Sequence, residues 1–252
     1  MDINKVYLGD CLEIMPSIGD KSIDMILCDL PYGTTACKWD TVIPFEPLWR
    51  EYKRLIKDNG AIVLTASQPF TSALVMSNIK MFKYEWIWQL NAGSNFATTK
   101  YQPMKEHENV LIFGNGSTIY NQQRQPRADS GYARQKTPLR FDRYQKDGVY
   151  GDILGKVIKK RISKDRCPSS VQRFNRERGL HPTQKPVALF EYLIKTYTNE
   201  GDIVLDNCIG SGTTAIACLN TSRNYIGCEL EKKYYDIAFK RIEEAKQKVK
   251  LL

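Results

Sequence analysis

Histidine is nearly absent from this chain: only His107 and His181 occur in 252 residues. Its seven cysteines (11, 28, 37, 167, 208, 218 and 228) are odd in number, and no two form a Cys-x-x-Cys pair. That composition argues against a zinc site, and no metal is expected. Scattered cysteines also fit a reduced, cytoplasmic compartment better than a secreted disulfide framework. No apolar run reaches the roughly 18 residues that cross a bilayer, and Met1-Asp2-Ile3-Asn4-Lys5 has no apolar signal core, so no membrane partner is expected. Internal repeats are lacking too.

What is present reads as an ordinary globule, with 42% apolar and 26% charged residues. A chain of this length suits one α/β domain carrying an insertion better than two full domains. The charge is unevenly spread. Asn121 to Arg178 holds 16 Lys and Arg against 6 Asp and Glu, a local +10 that leaves −1 for the rest of a chain whose total is +9. A polyanionic partner for that one segment is the natural reading.

Along the chain, short apolar runs alternate with helical periods. Lys5 to Leu8, Ile23 to Asp29, Ala61 to Thr65, Tyr84 to Leu90, Glu108 to Phe113, Gly201 to Asp206 and Asn224 to Glu229 read as strands. Helices are expected over Phe45 to Lys57, closed by Asp58-Asn59-Gly60, then over Pro69 to Ser77, Pro186 to Tyr197, Thr213 to Leu219 and Glu231 to Lys248. The alternation predicts an α/β fold with a mostly parallel sheet and helices on both faces. Between Gly114 and Gly179 the period breaks. The expected organisation is 1–113, an insert over 114–180, then 181–252.

Two strand ends carry chemistry. Asp29-Leu30-Pro31-Tyr32 closes a buried apolar run, where open α/β sheets put their ligands. The Asp29 carboxylate and the Leu30 carbonyl could accept both hydrogens of an exocyclic amine. Pro31 would fix the loop, and Tyr32 would stack on a planar base. The second end is Asp206-Asn207-Cys208-Ile209-Gly210-Ser211-Gly212-Thr213-Thr214. Its glycines let backbone approach a ligand just before a helix amino end, and Glu229, at the end of the next strand, suits ribose hydroxyls. Gly210-x-Gly212-x-x-Ala215 also fits a dinucleotide fingerprint, so an NAD-dependent oxidoreductase is a rival. That fold usually places the turn after its first strand, and the rival gives no role to Asp29 to Tyr32 or to the basic insert.

Taken together, the motifs resemble the amino-group DNA methyltransferases, whose catalytic motif is Asp/Asn/Ser-Pro-Pro-Tyr/Phe. The order of motifs is that of the family's β group: Asp29 to Tyr32, an insert, His181-Pro182-Thr183-Gln184-Lys185-Pro186, then Asp206 to Thr214. Leu30 departs from the family's first Pro, and Asn207 and Cys208 from its Pro-Phe. The resemblance implies a Rossmann-like S-adenosylmethionine-dependent methyltransferase fold with a basic target-recognition insert. It also implies methyl transfer to the N6 amine of a flipped adenine in duplex DNA, in a bacterial or phage-infected cell.

Asp29, Leu30, Pro31 and Tyr32 would then be catalytic. Asp10, Asp29, Lys185, Asp206, Cys208, Gly210, Ser211, Gly212, Thr213 and Glu229 would hold the cofactor, with Lys185 as counter-charge for its carboxylate. Asp10 equally suits a helix N-cap for Cys11 onward. Cytosine-N4 methylation, or a catalytically silent DNA-binding module, is the alternative, and a homodimer is compatible with the resemblance. In the insert, Arg124, Arg127, Arg134, Lys136, Arg140, Arg143, Lys159, Lys160 and Arg161 are expected to meet DNA. Tyr132, Phe141 and Tyr144 stand among them, and Arg and Gln are common readers of base edges.

Overall fold

The computed structural model describes residues 1–35, 37, 40–127, 163–177 and 184–249. Met1–Asn121 together with Ser169–Leu252 form one compact unit, and Gln122–Pro168 form a second. In chain order the elements are β1 (Lys5–Leu8), α1 (Cys11–Ile14), β2 (Ile23–Asp29), α2 (Phe45–Leu55), β3 (Ile56–Ala66), α3 (Phe70–Ser77), β4 (Phe82–Ser94) and β5 (Lys105–Phe113). There follow β6 (Gln125–Pro126), β7 (Asp165–Arg166), β8 (Val171–Arg173), α4 (Val187–Tyr197), β9 (Ile203–Asp206), α5 (Thr213–Asn220), β10 (Asn224–Glu229) and α6 (Lys232–Val249).

The main unit is built on a sheet of order β1-β10-β9-β2-β3-β5-β4-β8. All neighbours run parallel except β3–β5 and β4–β5, so β5 is the reversed strand. Successive side chains of a strand face opposite ways, and a strand with apolar residues on both faces must be covered twice. That is the case for β2: Ile26 and Cys28 join Leu48, Tyr52, Phe70 and Leu74 of α2 and α3 in one cluster. Met25 and Leu27 join Phe190, Ile194, Ala215 and Ile242 of α4, α5 and α6 in the other. Each such Leu or Ile side chain contributes about 1.5–3 kcal/mol on burial. The doubly buried strands are therefore the frame on which the loops hang.

Two local expectations shift. The helix expected through Lys57 stops at Leu55, and β3 begins at once with Ile56. β3 pairs with β2 at Ile23↔Ile56 and then from Met25↔Ala61 onward, so the Asp58-Asn59-Gly60 turn is a bulge within the strand. Gly60 is required there, because a Cβ would lie 2.7 Å from the Asp24 carbonyl oxygen. Val171–Arg173, within the expected insert, is an edge strand of the main sheet beside β4.

β9 lies next to β2, with Met25↔Val204 and Ile26↔Leu205 in register. From β2 the sheet continues to β3 on one side, and from β9 to β10 on the other. The carboxyl ends of β2 and β9 therefore flank a topological switch point, where a crevice opens.

Candidate active site

Asp29 ends β2 with both carboxylate oxygens engaged. Oδ1 accepts hydrogen bonds from the Tyr32 hydroxyl at 2.7 Å and from the Thr65 hydroxyl on β3. Oδ2 accepts from the Lys185 ammonium at 2.6 Å. Lys185 is only 6% exposed, and a second carboxylate, Glu108 of β5, lies 3.4 Å from its Nζ. Burial works against that buried ammonium, but the charges of Asp29 and Glu108 outweigh it and raise its pKa above the ordinary value. The lysine is thus held as a cation between two acids. Tyr32 stacks its ring on Phe70, with centroids 5.1 Å apart and planes at 24°. Burial, with Asp29 alongside, pushes its phenol well up, so it stays a neutral donor.

At the end of β9 the turn is held by carboxylates. Asp206 Oδ1 accepts from the Cys208 amide at 3.1 Å, and Oδ2 accepts from the Thr214 hydroxyl. Burial pushes this carboxyl up to about 7. Gly212 sits at φ +86° and caps α5, where an added Cβ would meet Ala238 at 3.3 Å. Glu229 Oε2 accepts from the Gly210 amide at 2.8 Å and Oε1 from the Glu231 amide at 2.9 Å. One carboxylate therefore fixes the turn after β9 against the end of β10, and burial raises its pKa. Asp10 caps α1 by accepting from the Leu12 amide at 2.8 Å, and the neighbouring Gly9 amide bonds the Glu229 carbonyl at 2.8 Å.

The two ends open into one cavity of about 850 Å³. Asp10, Asp29, Leu30, Pro31, Tyr32, Lys185, Asp206, Cys208, Gly210, Ser211, Thr213 and Glu229 all line it, while Gly212 sits behind the wall. A family described as DNA methylase matches residues 23–240, most of the chain and all of these positions except Asp10. The chain belongs to that DNA methylase family.

A type II methyltransferase of Streptococcus pneumoniae, M2.DpnII, is 44% identical, over 95% of this chain and 90% of its own. YhdJ of Escherichia coli, named a DNA adenine methyltransferase, is 27% identical, over 94% and 82%. The crystal structure of an M1.HpyAVI–SAM complex superposes with a TM-score of 0.62 at 26% identity, covering 94% of this chain and 98% of that one.

Within this DNA methylase, two of the expected site residues also have protein partners of their own. The Lys185 ammonium, expected opposite a cofactor carboxylate, pairs with Asp29 and Glu108. Tyr32, expected to stack on a base, has Phe70 against its ring and its hydroxyl on Asp29. The departures at Asn207 and Cys208 are absorbed locally. The Tyr52 hydroxyl donates to Asn207 Oδ1 at 2.6 Å, and Asn207 Nδ2 lies 3.5 Å from the sulfurs of Cys11 and Cys208. Burial holds the neighbouring Cys28 thiol up at about 12, so it is no nucleophile at neutral pH.

Sequence reasoning missed Thr65, Glu108, Asp40 and Arg241. Asp40 accepts from the Gly33, Thr34 and Thr35 amides at 2.9, 2.9 and 2.7 Å and shapes the loop after Tyr32. Arg241 of α6 donates to the Ser211 carbonyl and the Thr213 hydroxyl, both at 3.2 Å, bracing the glycine turn. Thr65 had a signal, being a polar residue at the end of the apolar run Ala61 to Leu64. Arg241, on a charged helix, had none.

In the second unit, Arg124 donates to the Asp165 carbonyl at 3.3 Å and Arg127 to the same carbonyl at 3.2 Å, tying β6 to β7. Arg134, Lys136, Arg140, Arg143, Lys159, Lys160 and Arg161, with Tyr132, Phe141, Tyr144, Arg178 and His181, lie outside the described residues. Among the described residues, no cluster of His, Cys, Asp and Glu could hold a metal, and no helix is long and apolar enough to cross a membrane.

Proposed function

We propose that this DNA methylase transfers a methyl group from S-adenosylmethionine to the N6 amine of an adenine flipped out of duplex DNA, in a bacterial or phage-infected cell. The observation that carries the reading is the shared cavity, with Asp29 at the end of β2 and the Gly210–Gly212 turn at the end of the adjacent β9. Its volume is within the usual range for a ligand-sized site, about 300–1,000 Å³.

The residues present fit the cofactor. Glu229 accepts the Gly210 amide on Oε2 and the Glu231 amide on Oε1, and the carboxylate keeps acceptor capacity for a ribose hydroxyl. Gly210 and the small Ser211 give the methionine part a wall with little side-chain bulk. S-adenosylmethionine, when bound, supplies an activated sulfonium methyl, so the protein has mainly to position and to exclude water. Asp29 and the Leu30 carbonyl accept from the target amine and aim its lone pair, and Pro31 holds their spacing. The two Oδ1 lone pairs of Asp29 are taken by Tyr32 and Thr65. The acceptor position left for the amine is on Oδ2, beside Lys185.

Asp at the first position of the motif, and the adenine named for YhdJ, favour adenine over cytosine. The basic segment from Asn121 to Arg178 would hold the duplex through its phosphates. The test is methyl transfer to duplex DNA followed by nucleoside analysis. N6-methyladenine is the expected product, N4-methylcytosine would move the target to the other base, and no labelled product would leave only a DNA-binding role.

A further inference from the structure

Glu108 is the one member of the Asp29 cluster that neither the motif nor the proposed chemistry uses. It lies two strands from Asp29, across β3, and lines the same cavity. Its Oε2 is buried and makes no hydrogen bond, yet it stands 3.4 Å from the Lys185 ammonium. A buried carboxylate oxygen held only by charge is costly to keep. Two other cations line this wall, Arg176 and Lys105, and Lys105 is turned to the Ser67 hydroxyl; the ion pair with Glu108 is made by Lys185.

The reason lies in the charge that the reaction develops. As the target nitrogen bonds to the methyl carbon, the carbon–sulfur electron pair returns to sulfur. Positive charge then builds on nitrogen until one of its hydrogens leaves as a proton, by way of Asp29, to water. An Asp29–Lys185 pair alone is neutral and places an ammonium next to that nitrogen. With Glu108 the ammonium is shared between two acids, so less of its charge is directed at Oδ2 and the reacting nitrogen. Preorganised charge of the right sign is the strongest lever such a dry site has.

We propose that Glu108 is a positioning residue for methyl transfer. Acting through Lys185, it shares the ammonium with Asp29 and so keeps an Oδ2 lone pair open to the amine. The inference rests on the proposed role of Asp29, so Asp29→Ala is measured alongside. The experiment is single-turnover methyl transfer to duplex DNA, with S-adenosylhomocysteine binding by titration calorimetry and duplex binding by anisotropy. Glu108→Gln is expected to slow the transfer step about 10- to 100-fold, with both affinities within about twofold of wild type. Glu108→Asp, which keeps the charge on a shorter arm, should recover part of the rate. In a Lys185→Met background, Glu108→Gln should cost no further rate, because its effect runs through the lysine.

A wild-type transfer rate in Glu108→Gln overturns the proposal. So does an equal loss in the Lys185→Met background, or a loss explained by weaker cofactor binding. If Asp29→Ala itself transfers at the wild-type rate, the reading of the whole site falls. If only Glu108→Gln is without effect, that reading stands and this inference alone is lost.

Discussion

The two ends of the cavity are built by different means. Around Asp29 the working groups are side chains from β2, β3, β5 and the segment before α4, which meet only when the sheet forms. Around Gly210 the wall is a glycine turn whose Cys208, Ile209, Gly210 and Gly212 amides are bonded within the protein, braced by Glu229 and Arg241. The side-chain end can therefore tune charge and proton position. The backbone end offers shape and fixed dipoles that no single substitution removes without moving the turn. Chemistry and cofactor capture should accordingly fail separately.

The sharpest test of that separation is Asp29→Ala. It should lower methyl transfer by on the order of 10³ or more while S-adenosylhomocysteine binding, read by calorimetry, changes little. A parallel loss of cofactor binding would merge the two ends. In the opposite sense, Glu229→Gln should weaken cofactor binding by roughly 10- to 100-fold while duplex affinity holds. Unchanged cofactor binding would remove Glu229 from that site.

Smaller effects sharpen the contrast. Thr65→Val removes one donor to Asp29 and should slow transfer about tenfold, the scale of one hydrogen bond to a charged group; no change in the single-turnover rate would make Tyr32 sufficient. Gly212→Ala forces a side chain to φ +86° and against Ala238. It should cost about 1–2 kcal/mol of stability. Gly210→Ala, at φ +54° in open space, should cost less by urea denaturation.

The smallest effect is a pH dependence. Asp206 holds its proton up to about 7 in the folded protein against 3.8 ordinarily. Stability that depends on the protonated form is complete below about 4 and lost as pH rises toward about 7. Asp206→Asn should therefore gain melting temperature relative to wild type across that window. A constant gap would mean that the Thr214 hydroxyl and Cys208 amide stabilise the ionised form in full.

The same contrast explains what could be read from residue order. The glycine turn and Asp29 to Tyr32 are contiguous, and each follows an apolar run whose length and period mark a buried strand. The sheet followed from those runs, with its helices on two faces. Glu108 and Thr65 reach Asp29 only through strand order, and β5 runs antiparallel to β3, which no local pattern announces. Lys185 was visible in its motif, but its partner was not. A lysine near a cofactor motif suggests a cofactor contact, and only strand order shows the two carboxylates beside it.

One consequence concerns how this enzyme could be re-engineered. The chain leaving Pro168 is woven back into the main sheet as β8, and a few residues later Glu177 accepts from the Val187 amide at the head of α4. A graft that exchanges the segment proposed to hold DNA should splice near Asn121 and Ser169. Cutting as late as residue 180 would strip an edge strand from the scaffold and unseat the helix that follows Lys185, so chimeras with the wider exchange should accumulate poorly whatever sequence they were meant to read.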